Sequence, residues 1–160
     1  MRFAPNPSWM PSDYIDSKGT HKGFVADYLI IIQDKLGFKL EMVYFDNWSD
    51  MMEGIKNNEV DLIGAIQKTD ERTLFMNSTN IYQTIPLVIL TRNNHPSSFK
   101  NHQIKKMNIA SVRGYASINW VKQDYPGVET SDDLAAILKT SLGETDGTII
   151  DLMAASYIVE

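Results

Sequence analysis

Arg72 stands at the end of Thr69-Asp70-Glu71-Arg72, and a short apolar run, Leu62 to Ile66, precedes that motif between Asp61 and Gln67. The apolar run reads as a buried strand. Thr69 reads as a helix N-cap, with two acids in the first turn. Arg72 is then expected about three residues inside a helix that starts at the carboxyl end of a strand. In open α/β sheets ligands bind at that edge, and helix N-termini favour anions. An arginine fork there suits a carboxylate, because two parallel charge-assisted bonds fix its plane. The competing reading makes Arg72 a solvent-facing residue of a short surface helix, contributing little to the fold. The motif alone does not choose between them.

The rest of the chain supplies elements that could position such a group. Arg2 to Ala4 reads as a first strand, stopped by Pro5, Pro7 and Pro11 around Trp9. A small hairpin turns at Asp16-Ser17-Lys18-Gly19 and ends near Gly23. Phe24, Tyr28, Ile31, Ile32 and Leu36 keep helical spacing up to Gly37, a suitable stop. Lys39 to Phe45 alternates as a strand, and Trp48, Met51, Met52 and Ile55 mark a second helix. The Leu62 strand, the Arg72 helix and a strand from Leu87 to Thr91 follow. This rhythm predicts an α/β fold with a mainly parallel sheet. Linker-like composition fills residues 93–103, and the rhythm then restarts. Asn108 to Val112 reads as a strand, Ser117 to Asp124 as a helix and Val128 to Thr130 as a strand. Ser131 is expected to cap a helix carrying Leu134, Ile137, Leu138 and Leu142, and a strand runs from Thr148 to Ile150. Two lobes result, 1–92 and 104–160, joined by a hinge at 93–103. Arg113-Gly114-Tyr115-Ala116 sits in the second lobe where Gly64 to Thr69 sits in the first.

Composition narrows the function. At 160 residues with 43% hydrophobic residues, the chain can bury one core or two small ones. A net charge of −5 without a basic face argues against nucleic acid as a partner. No cysteine is present, which removes disulfides, thiolate nucleophiles and cysteine-based zinc sites. No apolar run is long enough to span a bilayer, so membrane attachment would come through segments outside this chain. His21, His95 and His102 lie in polar stretches without metal-ligand spacing and read as solvated. The chain contains no Gly-x-Ser-x-Gly, phosphate loop or dinucleotide fingerprint. Neither a catalytic residue, a metal nor a cofactor is therefore expected.

In order and spacing, several short motifs resemble one family. They are Asn6-Pro7-Ser8-Trp9-Met10-Pro11, Gly23-Phe24-Val25-Ala26-Asp27, Val60-Asp61-Leu62-Ile63, Thr69-Asp70-Glu71-Arg72 and Asn80-Ile81-Tyr82 in the first lobe. In the second they are Val112-Arg113-Gly114-Tyr115-Ala116 and Ile150-Asp151-Leu152-Met153-Ala154-Ala155-Ser156-Tyr157. Together they resemble the bacterial extracellular solute-binding proteins of family 3, with the two-lobed Venus-flytrap fold of type II periplasmic binding proteins. Within it the chain is most similar to sensor modules of transmembrane histidine kinases and cyclic-di-nucleotide enzymes. Ala26-Asp27-Tyr28, Pro86-Leu87-Val88-Ile89, Asn119-Trp120 and Asp124-Tyr125-Pro126 carry that likeness. The alternative within the family is the receptor of an amino-acid transporter. A dehydratase of this fold, or a module beside a peptidoglycan-cleaving domain, is a more distant one.

The resemblance implies a small carboxylate-bearing ligand, amino-acid-like, on the periplasmic side of the membrane. It implies Arg72 as carboxylate clamp and Asp151 as partner of the ligand's ammonium. Trp9 would supply an aromatic wall or a core ring. Gly114 and Tyr115 would offer backbone N–H groups, with Ala116 beside them. Arg113 would meet a second acidic group or face solvent. Trp48 is expected in the core rather than the pocket. The family's usual serines are Gly64, Ala65 and Gln67 here, so Ala65 and Gln67 would line the site without those hydroxyls. The family's return crossing to the first lobe has no counterpart before Glu160. An incomplete first lobe is therefore expected, completed by segment exchange or pairing between two copies.

Overall fold

The computed structural model describes residues 1–94, 105–118, 127–130 and 132–159. The chain divides into two compact units, Met1–Thr84 and Ile85–Glu160.

In the first unit β1 (Arg2–Ala4) is the middle strand of a parallel sheet, between β5 (Glu41–Met42) and β6 (Leu62–Ile63). Phe3 pairs in register with Met42 on one side and Leu62 on the other. The parallel β-α-β arrangement matches the expectation, but the edge strands are only two residues long. Between β1 and α1 lies an antiparallel sheet of β2 (Ser8–Trp9), β3 (Asp13–Ile15) and β4 (His21–Lys22). The Asp16 carboxylate closes its turn by accepting from the backbone N–H groups of Lys18 and Thr20.

α1 (Phe24–Leu36) buries a different face from the expected one. Val25, Ala26 and Leu29 are buried, and Val25 and Leu29 pack on Phe3. Tyr28, Ile31, Ile32 and Leu36 are exposed. The helix is apolar on nearly every side, so periodicity left two stripes to choose between. Its start makes the choice. Gly23 has φ 99°, and a Cβ there would come within 2.2 Å of the Ser12 carbonyl oxygen. That close approach fixes α1 against the hairpin and turns Val25 and Leu29 inward. α2 (Trp48–Lys56) does bury the expected Trp48, Met51, Met52 and Ile55, and the Asn47 side chain accepts from the Asp50 N–H.

The second unit holds a four-stranded sheet in the order β7-β10-β8-β9. β7 (Leu87–Thr91) runs antiparallel to β10 (Gly147–Asp151), while β8 (Ile109–Val112) runs parallel to both β10 and β9 (Gly127–Thr130). β7 therefore belongs to the second unit, not to the first-lobe rhythm its place in the chain suggested. The Arg92 guanidinium, expected at the edge of a linker, donates to the carbonyls of Thr140 and Thr145, 2.7 Å for Thr145. Of the expected hinge, residues 95–103 lie outside the described residues, with His95 and His102 among them.

α3 (Asp133–Ser141) is capped by Asp132, whose carboxylate accepts from the Ala135 N–H at 2.8 Å. The expected cap, Ser131, lies outside the described residues. Leu134, Leu138 and Leu142, whose spacing marks this helix in the sequence, are exposed. Asp133, Ala136 and Thr140 are buried instead. The Thr140 hydroxyl is satisfied within the helix by the Ala136 carbonyl and pairs with the Thr145 hydroxyl, so a small polar side chain can fill a buried position. α4 (Leu152–Val159) follows β10 directly.

Candidate functional site

Arg72 begins a short 3-10 helix, Arg72–Leu74, rather than the longer helix expected. Its N-cap is Glu71, not the expected Thr69, although the Thr69 hydroxyl does accept from the Arg72 N–H at 3.3 Å across the turn before it. The side chain is not solvent-facing. Arg72 is 6% exposed, its Nη1 donates to the Gln67 carbonyl at 2.7 Å, and its guanidinium lies 5.6 Å from the centre of the Trp48 ring. Burial of a guanidinium is costly unless hydrogen bonds and an aromatic face replace its water. The Gln67 carbonyl and the buried Trp48 supply both, so the fork is held in place by its own unit. Trp48 is in the core as expected, and it is also the platform under Arg72. Gln67 is exposed at its side chain and serves Arg72 through its backbone. Ala65 is partly buried against the Phe3 cluster, a packing position.

Trp9 is half-buried and begins an aromatic row that sequence reasoning missed. Its ring meets Phe24 edge-on at 6.1 Å, Phe24 meets Tyr28 at 6.3 Å, and Tyr28 meets Tyr82 at 5.3 Å. Spacing of four residues between Phe24 and Tyr28 was the available signal. The Tyr82 hydroxyl donates to the Gly64 carbonyl at 2.8 Å, and burial pushes its pKa up to about 12. The tyrosine of Asn80-Ile81-Tyr82 thus ties that segment to the loop after β6.

His21 is not solvated. Its Nε2 lies 2.6 Å from the Asp13 carboxylate, and Asp13 is only 2% exposed. Burial raises the Asp13 pKa and the His21 hydrogen bond pulls against that rise. This pair ties β3 to β4, and the His21 ring packs 5.3 Å from Phe3.

In the second unit, parallel pairing brings the carboxyl ends of β10, β8 and β9 to one sheet edge. Asp151 ends β10, the Arg113–Ala116 loop follows β8, and Asp132-Asp133 follow β9. Arg113 and Gly114 are exposed, while Tyr115 and Ala116 are partly buried. Gly114 has φ 78°, the left-handed turn that lets the chain double back there. The Tyr115 N–H, expected to meet an anion, donates to the Val112 carbonyl at 3.1 Å and closes the turn. Asp151 accepts from the Ala154 N–H at 2.9 Å and caps α4.

Asp133 is the group sequence reasoning did not single out. It is 4% exposed, and the Tyr115 hydroxyl donates to its Oδ2 at 3.5 Å. Burial and then the charge of Asp151 raise its pKa to about 7; the Tyr115 hydrogen bond opposes and the Asp132 charge adds. Two consecutive acids straight after a strand were the signal. The expected clamp residues, Arg72 and Asp151, belong to different units, and each is set in place by its own.

The sequence profile of the bacterial extracellular solute-binding proteins, family 3, matches residues 1–155. The virulence sensor protein BvgS of Bordetella pertussis is 26% identical over 140 residues, 86% of this chain and 11% of BvgS. A probable histidine-binding protein of Neisseria gonorrhoeae is 26% identical over 165 residues, 98% of this chain and 61% of that protein. The chain therefore spans only part of the length of these relatives. Among solved structures, the BvgS periplasmic domain matches with TM-score 0.86 at 21% identity, covering 99% of this chain and 31% of that one. The ancestral amino acid-binding protein AncCDT-1, a precursor of cyclohexadienyl dehydratase, matches with TM-score 0.87 at 19% identity, covering 99% and 73%. These likenesses show the fold expected above, that of type II periplasmic binding proteins. The chain belongs to the bacterial extracellular solute-binding proteins of family 3.

Proposed function

We propose that this chain is the periplasmic ligand-binding domain of a transmembrane signalling protein, and that it binds an amino-acid-like ligand without turning it over. Arg72 takes the ligand's carboxylate and Asp151 its ammonium. The observation that carries the reading is the state of Arg72, a guanidinium 6% exposed and fixed by Gln67 and Trp48. A cation already stripped of water pairs strongly with an anion, because little solvent remains to screen it. Its fixed plane also selects a planar carboxylate over a rounder anion. Gly114 and Arg113 complete the second unit's half, and the Trp9 row offers an apolar wall of the kind small-ligand sites use.

The sensor reading follows the BvgS likeness, with the membrane reached through other segments. The receptor of an amino-acid transporter is the second reading, favoured by the likeness to the Neisseria histidine-binding protein. The exposed apolar face of α1, Ile30 and Leu36 above all, supports pairing or segment exchange with a second copy. The direct test is a thermal-shift screen of the full-length protein with amino acids and organic acids. A rise in melting temperature with a carboxylate-bearing ligand is expected, and its absence across the panel would count against the reading.

A further inference from the structure

The loop that supplies an acceptor to Arg72 has no regular structure of its own. After β6 the chain runs from Gly64 to Thr69 without helix or strand, up to the turn at Asp70. Gln67, whose carbonyl takes the Arg72 Nη1 hydrogen bond at 2.7 Å, lies within that run. A carbonyl on an unsupported loop wanders, and the guanidinium plane would wander with it.

The support is applied at the loop's first residue. On one side Gly64 lies against α1, and a Cβ added there would come within 2.0 Å of Val25 Cγ1. Val25 is 1% exposed, so the loop backbone is pressed onto the core with no side chain between them. On the other side the Tyr82 hydroxyl donates to the Gly64 carbonyl at 2.8 Å, from a residue 18 positions later in the chain. The Tyr82 ring is half-exposed, and a hydroxyl in that setting can bond to water instead. Tyr28 of α1 holds it in place, meeting the ring edge-on at 5.3 Å. Ala65, the next loop residue, packs on the Phe3 cluster. All of these residues belong to the first unit.

We propose that Tyr82 is a positioning residue for the carboxylate clamp. Its hydroxyl fixes the Gly64 carbonyl, the Gly64–Gln67 loop keeps its course, and the Gln67 carbonyl sets the plane of the Arg72 guanidinium. This rests on the reading of Arg72 as the clamp, and goes beyond it by naming a residue that aims the fork without touching the ligand. A two-pronged contact depends on that plane, whereas a single hydrogen bond tolerates a tilt. Loss of the Tyr82 hydroxyl therefore weakens a carboxylate ligand and spares one that lacks the carboxylate.

The experiment is calorimetry on the full-length wild type, Tyr82→Phe, Arg72→Lys and the double variant. The probes are L-arginine, L-glutamine and L-histidine, each beside its own α-carboxamide, which keeps the ammonium and side chain and lacks the carboxylate. Tyr82→Phe leaves the ring on Tyr28 and removes only the hydroxyl. It should weaken the amino acid about fivefold, the weight of one hydrogen bond, and leave the carboxamide unchanged. In the Arg72→Lys background that loss should shrink, because no fork remains to be aimed. No loss, an equal loss for acid and carboxamide, or the full loss in Arg72→Lys would overturn the inference and leave the clamp reading standing. If no probe binds wild type, or acid and carboxamide bind it alike, the clamp reading fails and the ligand-free protein decides the inference. Side-chain 15N NMR should then show the Arg72 Nη groups held distinct in wild type and averaged by faster rotation in Tyr82→Phe. Identical Arg72 signals in the two proteins would overturn it.

Discussion

Among the described residues each unit buries one aspartate, and the two are treated in opposite ways. Asp13 of the first unit is 2% exposed and has a basic partner, His21, at 2.6 Å. Asp133 of the second is 4% exposed and has an acid, Asp151, as its charged neighbour. Burial raises both pKa values, but only at Asp133 does the nearest charge push the same way as burial. The first arrangement satisfies a carboxyl so that two strands stay joined. In the second, a neighbouring acid adds to the effect of burial. A buried acid answered from within its own fold belongs to the architecture, and one left in conflict is a candidate for function.

The largest effect should come from breaking the satisfied pair. Asp13→Ala strands the His21 ring beside Phe3 and removes the link between β3 and β4. A loss of about 3 kcal/mol is expected, as for other broken buried pairs, measured by urea unfolding at pH 7. A loss near zero would mean that the pair is incidental.

Asp133 gives the contrasting result. Its folded pKa, about 7, lies above the ordinary 3.8, so the folded state holds the extra proton. Stability contributed by this group is full below about pH 4 and is lost as pH rises toward 7. The difference amounts to a few kcal/mol, on the order of 1.4 per pKa unit. Asp133→Asn cannot lose a proton, so it should flatten that decline and equal or exceed wild-type stability at pH 8. Urea midpoints at pH 5 and pH 8 for both proteins check this, and an Asn variant weaker at pH 8 would contradict it.

The smallest effect concerns the leucines of α3. Leu138 faces solvent, so Leu138→Gln should change stability by less than about 0.5 kcal/mol. A loss typical of a core leucine, about 2 kcal/mol or more, would contradict that exposure.

That leucine face shows where sequence reasoning stopped. The parallel sheet around Phe3 and the buried face of α2 were legible, because alternation and a single apolar stripe admit one solution. α1 and α3 were not. Ile30, Ile31 and Ile32 surround α1, so its facing was decided by the close approach of Gly23 to Ser12, a tertiary fact. In α3 a buried Thr140 is satisfied by Ala136, and no pattern rule prefers it to Leu138. Of the site, Thr69 and Arg72 were legible as a local motif. Arg72's burial was not, since the Trp48 beneath it lies 24 residues earlier in the chain. His21 looked solvated because its partner, Asp13, meets it only once the hairpin closes. Asp133 escaped for the opposite reason: its neighbours are strand ends, adjacent only in the folded sheet.

The central claim is that Arg72 clamps a carboxylate. It is tested most directly by calorimetry of the full-length wild type, Arg72→Lys and Arg72→Ala with an amino acid that shifts the melting temperature. Arg72→Ala is expected to weaken binding by about 2–5 kcal/mol, because the ligand's carboxylate is left unpaired. Arg72→Lys should recover only part, since an ammonium cannot reproduce the two-pronged contact. Melting temperatures measured alongside should show some loss for Arg72→Ala, as the Gln67 hydrogen bond and the Trp48 platform lose their partner. Equal affinities in the three folded proteins would contradict the account and leave Arg72 a structural residue alone.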